Sequence, residues 1–168
     1  SMIDGSLVFD EFNECYISTT LRLKSDATTR DSFWIGKIST TGSLLWNYRY
    51  VSPGRDINLA KKSAIDIFGD LNIAFTRHNT TTGVKTVDSV KIGYDGIVKN
   101  HSTNEFNKNR IEGITAHAVN VDNSGDVFIN GQTQWNRNEF IFDFAANEQT
   151  DVTGHYTLTS VGASSAVT

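Results

Sequence analysis

One cysteine and one proline stand in a chain of 168 residues. A lone cysteine excludes an intrachain disulfide. Cys15 is therefore expected to be a small buried hydrophobe, not half of a crosslink. With so little proline, the turns must be made by Gly, Asn, Asp and Ser. Basic residues are outnumbered, 15 against 19, for a net charge of −4. That leaves no basic footprint of the kind a nucleic-acid partner requires. No apolar run approaches 18 residues, so no membrane-spanning helix is expected. No segment longer than about two turns combines a capping residue with helical periodicity. No signal peptide is visible, and Ser1-Met2 reads as a cloning remnant.

Catalytic signatures are missing too. There is no Gly-x-Ser-x-Gly, no His-Glu-x-x-His, no phosphate loop and no Cys/His cluster. His78, His101, His117 and His155 show no ligand-like spacing to one another. His117, between Ala116 and Ala118, reads as a packed or channel-facing side chain rather than a general base. No cofactor is expected.

What is present is a repeat. "FDEFNECYISTTL" (9–21), "IDIFGDLNIAFTR" (65–77) and "VDNSGDVFINGQT" (121–133) follow one another at intervals of 56 residues. Asp10, Asp66 and Asp122 fall in register, as do Ile17, Ile73 and Ile129. Cys15 aligns with Leu71 and Val127. Similarity at a fixed period marks a repeat architecture. A hydrophobic content of 38% is globular.

Each unit reads as four strands. A short strand A ends at the Asp: "LVF" (7–9), "SAI" (63–65) and "AVNV" (118–121). A tight turn follows, then strand B, with Cys15-Tyr16-Ile17, Leu71-Asn72-Ile73 and Val127-Phe128-Ile129 alternating. After a polar BC loop comes strand C: "SFWIGKI" (32–38), "DSVKIGY" (88–94) and "EFIFDF" (139–144). Strand D is "LLWNYRY" (44–50), "IVKNHS" (97–102) and "HYTLTSV" (155–161). The units run approximately over 6–61, 62–117 and 118–168. "ASSAVT" (163–168) looks like the start of a fourth strand A. Ile17, Ile73 and Ile129 are expected at equivalent buried positions.

Repeated four-stranded units are blades of a β-propeller. "AVNVDNSGDVFINGQT" and "FWIGKISTTGSLLWNYRY" resemble the bacterial beta-propeller repeat family. Its blades run an Ala-rich strand, an Asp turn, a Gly-[Asn/Asp]-[Val/Ile]-[Tyr/Phe] strand, a Lys-bearing strand, a Gly turn and a Trp. The second unit has Asn100 where Trp46 stands in the first, and the third lacks the Gly turn. The expected fold is all-β, with three four-stranded antiparallel blades forming a half ring or a fragment. A β-trefoil is the alternative, and "QTQW" (132–135) contains the Gln-x-Trp of trefoil lectins.

The A–B turns hold seven acids and no base. Asp122 and Asp126 could contribute to a calcium loop, but the repeated acids read better as structural turn residues, with no metal. The BC and DA loops carry Arg22, Lys24, Arg30, Arg55, Arg77, Lys85, Lys108, Arg110 and Arg137, interspersed with Asp26, Asp31, Asp56 and Asp88. Long loops on a rigid scaffold carry recognition. Trp135, Asn136 and Arg137 are the candidate ligand-binding residues, suited to sugar stacking or a protein hot spot.

The expected function is a non-enzymatic binding or scaffold module. It would take a protein or glycan ligand on the BC/DA loop face and form a homodimer or pack on neighbouring blades of the same chain. The resemblance implies a secreted or cell-surface location. A carbohydrate-binding lectin, or a domain of a propeller glycosidase or lyase, is the alternative.

Overall fold

The computed structural model describes residues 2–23, 30–51, 55–59, 62–79, 81–106, 111–135, 152–161 and 164–167. The described residues are all-β, in three separate antiparallel sheets. The first contains β1 (Met2–Phe9), β2 (Cys15–Leu23), β3 (Arg30–Ile38) and β4 (Leu44–Val51), in that order. The second contains β5 (Arg55–Leu59) and β6 (Ala64–Ile65), which both pair with β7 (Leu71–Asn79), followed by β8 (Lys85–Ile92) and β9 (Val98–Phe106). The third contains β10 (Ile111–Val121), β11 (Val127–Trp135), β12 (Val152–Val161) and β13 (Ser164–Val167).

The ladders keep the 56-residue register. Cys15 pairs with Phe9, Leu71 with Ile65 and Val127 with Val121. The outer strand is longer than the sequence suggests. It is irregular at the same height in the second and third sheets, beyond the partners of Phe75 and Gly131. In the third sheet one extra residue, between Ala116 and Ala118, unpairs and bends the strand, as a bulge does.

Two strand assignments change. Val152–Val161 pairs with β11 along its whole length and is the third strand of its sheet, not the fourth. The segment 139–144, expected in that place, lies outside the described residues. Ser164–Val167 pairs with β12 and completes the third sheet, so it does not open a fourth unit.

The sheets stack face to face. Residues of one strand alternate between faces, and directly paired residues share one. Tyr16, Phe33 and Ile35 of the first sheet meet Leu71, Ile73, Phe75, Val90 and Ile92 of the second. The opposite face of the second sheet brings Ala74 and Val87 against Ile114, Val119, Val127 and Ile129 of the third. The middle sheet is thus covered on both sides, and Leu71–Thr76 is buried without a break. The first interface is tied at several heights. Tyr16 donates its hydroxyl to the Gly69 carbonyl at 3.3 Å. Trp46 donates its indole N–H to the Tyr94 carbonyl at 2.8 Å. The Phe33 and Phe75 rings lie 4.7 Å apart.

Ile17, Ile73 and Ile129 are equivalent in register, but only two are buried alike. Ile73 and Ile129 are 2% and 3% exposed. Ile17 is half-buried, because no described strand stacks on its face of the first sheet. Cys15 shares that face and is also half-buried, whereas Leu71 and Val127 are buried. What burial it has pushes its thiol pKa up.

Candidate binding rim

Five turns line one edge of the stack, because antiparallel order puts the A–B and C–D connections at the same end. All five close in one way. The first residue's N–H donates to the carbonyl four residues on, and the fourth residue's N–H donates back to the first's carbonyl. The fourth position has a left-handed backbone in every case: Asn13, Gly42, Gly69, Gly96 and Gly125. That conformation favours Gly and, next, Asn.

In the A–B turns the leading Asp organises the loop. Asp10 Oδ1 accepts the N–H groups of Phe12 and Glu14, at 3.0 and 2.8 Å. Asp66 does the same for Phe68 and Asp70, and Asp122 for Ser124 and Asp126. Such side-chain-to-backbone bonds are why Asp belongs at these positions. Ser39 plays the part in one C–D turn, accepting from the Ser43 N–H at 3.0 Å.

Lysines anchor two of the turns to their sheets. Lys37 reaches Asp10 at 3.2 Å and Glu14 at 2.7 Å, with its ammonium 4.9 Å from the centre of the Tyr16 ring. Lys91 holds the same place in the second sheet and meets Asp66 at 2.8 Å. Its neighbour Lys99 meets Asp70 at 2.7 Å. Thr159 stands at the corresponding position of the third sheet, so Asp122 has no such lysine. Burial works against the charged forms of Asp66 and Lys37. Hydrogen bonds from Lys91 and the turn amides nevertheless hold the Asp66 carboxyl below its usual range. Bonds to Glu14, Tyr16 and Asp10 raise Lys37.

Apolar side chains stand out from this polar frame. Phe12 and Phe68, 56 residues apart, are 69% and 63% exposed. Ile67, Tyr94 and Ile97 are exposed beside them. Phe12, Ile67, Phe68 and Tyr94 line a cleft of about 520 Å³ between the first two sheets, together with Asp10, Glu11, Glu14, Lys37 and Asp66. A second cleft of about 430 Å³ separates the second and third sheets at the same edge. It is more polar, with Asn72, Lys91, Lys99, Asn100 and Asp126 in its walls. Phe68 belongs to both clefts and lies against Gly125 of the next turn.

A buried polar cluster lies deeper in the first interface. Arg77 grips Asp88, which accepts further hydrogen bonds from Thr86 and Thr103 and sits 3.1 Å from His101 Nε2. Burial opposes the Asp88 charge. Bonds from His101, Arg77, Thr103 and Thr86 outweigh it and bring the carboxyl down to about 2. Tyr50 of the first sheet completes the cluster, with its hydroxyl 3.4 Å from Arg77.

The sequence-selected residues come to different places. Trp135 is the last residue of β11, paired with Ile111 and Val152, and so belongs to a strand end, not a loop. Asn136 and Arg137 lie outside the described residues, as do Lys24, Asp26, Lys108 and Arg110. Arg77 and Asp88, expected on the loop face, pair inside the first interface because each neutralises the other there. His117 is exposed, 3.5 Å from Thr115 Oγ1. Asp122 and Asp126 share the third A–B turn, and among the described residues no three His, Cys, Asp or Glu side chains converge for a metal. The rim cleft was missed. Its signal was a phenylalanine at the same place in two polar turns.

No family model, no curated protein and no solved structure matches this chain. Among the described residues no helix is long and apolar enough to cross a membrane.

Proposed function

We propose that this chain is a non-enzymatic binding and scaffold module built of propeller blades, and that its turn rim receives a protein segment of mixed basic and apolar chemistry. The propeller reading is supported by three antiparallel sheets, two of four strands and one of five, stacked face to face with their turns on one rim. No described ladder joins one of the three sheets to another, whereas a trefoil barrel closes through ladders between its units. A location outside the cell or on its surface follows from the resemblance to the bacterial propeller repeat.

The observation that carries the binding reading is the exposed cluster of Phe12, Ile67, Phe68 and Tyr94 set among carboxylates. The five turns hold eight acids, and three lysines reach them. The rim therefore attracts positive charge, while its aromatic rings offer contact area of the kind found at interface hot spots. The non-enzymatic reading is supported by how the inner carboxylates are used. Asp10, Asp66 and Asp88 are engaged by backbone amides, lysine or arginine. A glycosidase needs a raised carboxylic acid and a second free carboxylate.

A peptide array alternating Lys or Arg with Leu or Phe tests the reading, with a Glu-substituted array and a glycan array beside it. Binding to the basic array should weaken at least tenfold in the Phe12→Ser/Phe68→Ser double variant. Binding to glycans alone would replace the reading with the lectin alternative. Binding that depends on Trp135, Asn136 or Arg137 and ignores the phenylalanines would return the ligand to the loop face.

A further inference from the structure

The repeat identifies the two outer faces of the described sheets. Ile73 and Ile129 lie on the face that each sheet turns to its predecessor, and that predecessor buries them. Ile17 holds the same position in the first sheet, where no described strand stacks. Leu7 and Phe9, paired with Ile17 and Cys15 and so on the same face, are 58% and 57% exposed. At the far end, Phe128 and Asn130 hold the positions of Tyr16 and Ser18, on the face through which the first sheet meets the second. Asn130 is exposed and Phe128 half-buried. Among the described residues nothing covers this face of the first sheet, and the third sheet has the register to supply a cover.

We infer that the third sheet of one copy of this chain docks on the first sheet of a second copy, head to tail, in the arrangement that joins successive sheets within the chain. A second copy is the occupant because its third sheet continues an interface already made twice here. A symmetric dimer through two first sheets would set two predecessor-seeking faces together, a pairing the stack never uses. The contact is heterologous, so it builds a ring or an open chain according to the rotation between copies. Four strands about 4.8 Å apart and roughly 30 Å long give a face of about 600 Å² in projection. This is below the roughly 800 Å² per partner of standard stable complexes, so association should be weak and concentration-dependent. It involves the end faces and not the turn rim, so its failure would leave the rim reading standing.

Sedimentation velocity over a range from micromolar to millimolar chain tests it. The wild type should associate with rising concentration. Leu7→Arg/Phe9→Arg blocks the first-sheet face at exposed positions, and Asn130→Arg blocks the third-sheet face. Each variant alone should shift at least tenfold toward monomer. An equimolar mixture should form a one-to-one dimer and nothing larger, because only one good pair of faces remains. Rescue on mixing also shows that both variants are folded. A wild type monomeric throughout overturns the inference, and so does a variant that self-associates like wild type. A mixture that stays monomeric while the wild type associates overturns it as well.

Discussion

Arg77 holds Asp88 with two hydrogen bonds, Nε to Oδ2 at 2.8 Å and Nη2 to Oδ1 at 2.6 Å, inside the interface of the first two sheets. The Asp88 side chain has no exposed surface. Its folded pKa of about 2 lies below the roughly 3.9 of an unfolded aspartate. The unfolded chain therefore binds more protons in acid. The stabilisation is complete above about pH 5 and drains as pH falls through about 4 toward 2, a loss of about 2 kcal/mol. Urea unfolding at pH 6 and pH 3 should show about half of that loss, roughly 1 kcal/mol, in the wild type, because a carboxyl with a pKa of about 2 is still mostly ionised at pH 3. Asp88→Asn should be destabilised by about 3 kcal/mol at pH 6, because it strands the Arg77 charge, and should lose less further stability on going to pH 3. Equal acid slopes in the two proteins would refute this account of Asp88.

Trp46 ties the first sheet to the C–D turn of the second, and Gly96 is where its ring rests. A Cβ on Gly96 would stand 2.9 Å from the indole, and φ there is +85°. Gly42 has the same φ in the equivalent turn of the first sheet, with nothing within 4 Å. The pair separates backbone strain from packing. Gly42→Ala should cost about 1 kcal/mol for the left-handed backbone alone. Gly96→Ala should cost about 2–3 kcal/mol, since overpacking adds to the same strain. Thermal unfolding of the two variants side by side measures the difference, and equal costs would mean that Trp46 yields freely.

Much of this was legible in the residues. The turns could be read because Asp at the first place and Gly or Asn at the fourth have local causes that need no tertiary context. The strands beside them followed from alternation. The third sheet could not be read so far, because 139–144 and Val152–Val161 are both strand-like and alternation cannot decide which pairs with β11. The ladder from Val127–Ser160 to Trp135–Val152 decides it. Asp88 was taken for a loop acid because its partners Arg77, His101 and Thr103 lie on neighbouring strands, 11 to 15 residues away. Phe12 and Phe68 were passed over as fillers between turn acids, since exposure depends on which sheet lies beside the turn.

Asp66 and Asp122 make the same two backbone bonds in equivalent turns, and only their surroundings differ. Asp122 is exposed, with no lysine at the Lys91 position. Its replacement by Ala removes two hydrogen bonds whose donors can turn to water, for about 1 kcal/mol. Asp66 is buried and also takes Lys91 at 2.8 Å and the Asn72 side-chain amide at 3.3 Å. Asp66→Ala leaves the buried amides without an acceptor and Lys91 without its counter-charge. Lys91 keeps 24% of its side-chain surface in solvent, so water recovers part of the loss. The net expectation is about 2–3 kcal/mol, roughly twice the cost at Asp122 or more. The double variant Asp66→Ala/Lys91→Met should regain part of it, because the stranded charge is gone. Denaturant unfolding of the three variants decides the matter. Equal costs for Asp66→Ala and Asp122→Ala, or no recovery in the double variant, would mean that the lysine anchor contributes nothing and that each Asp acts through its turn alone.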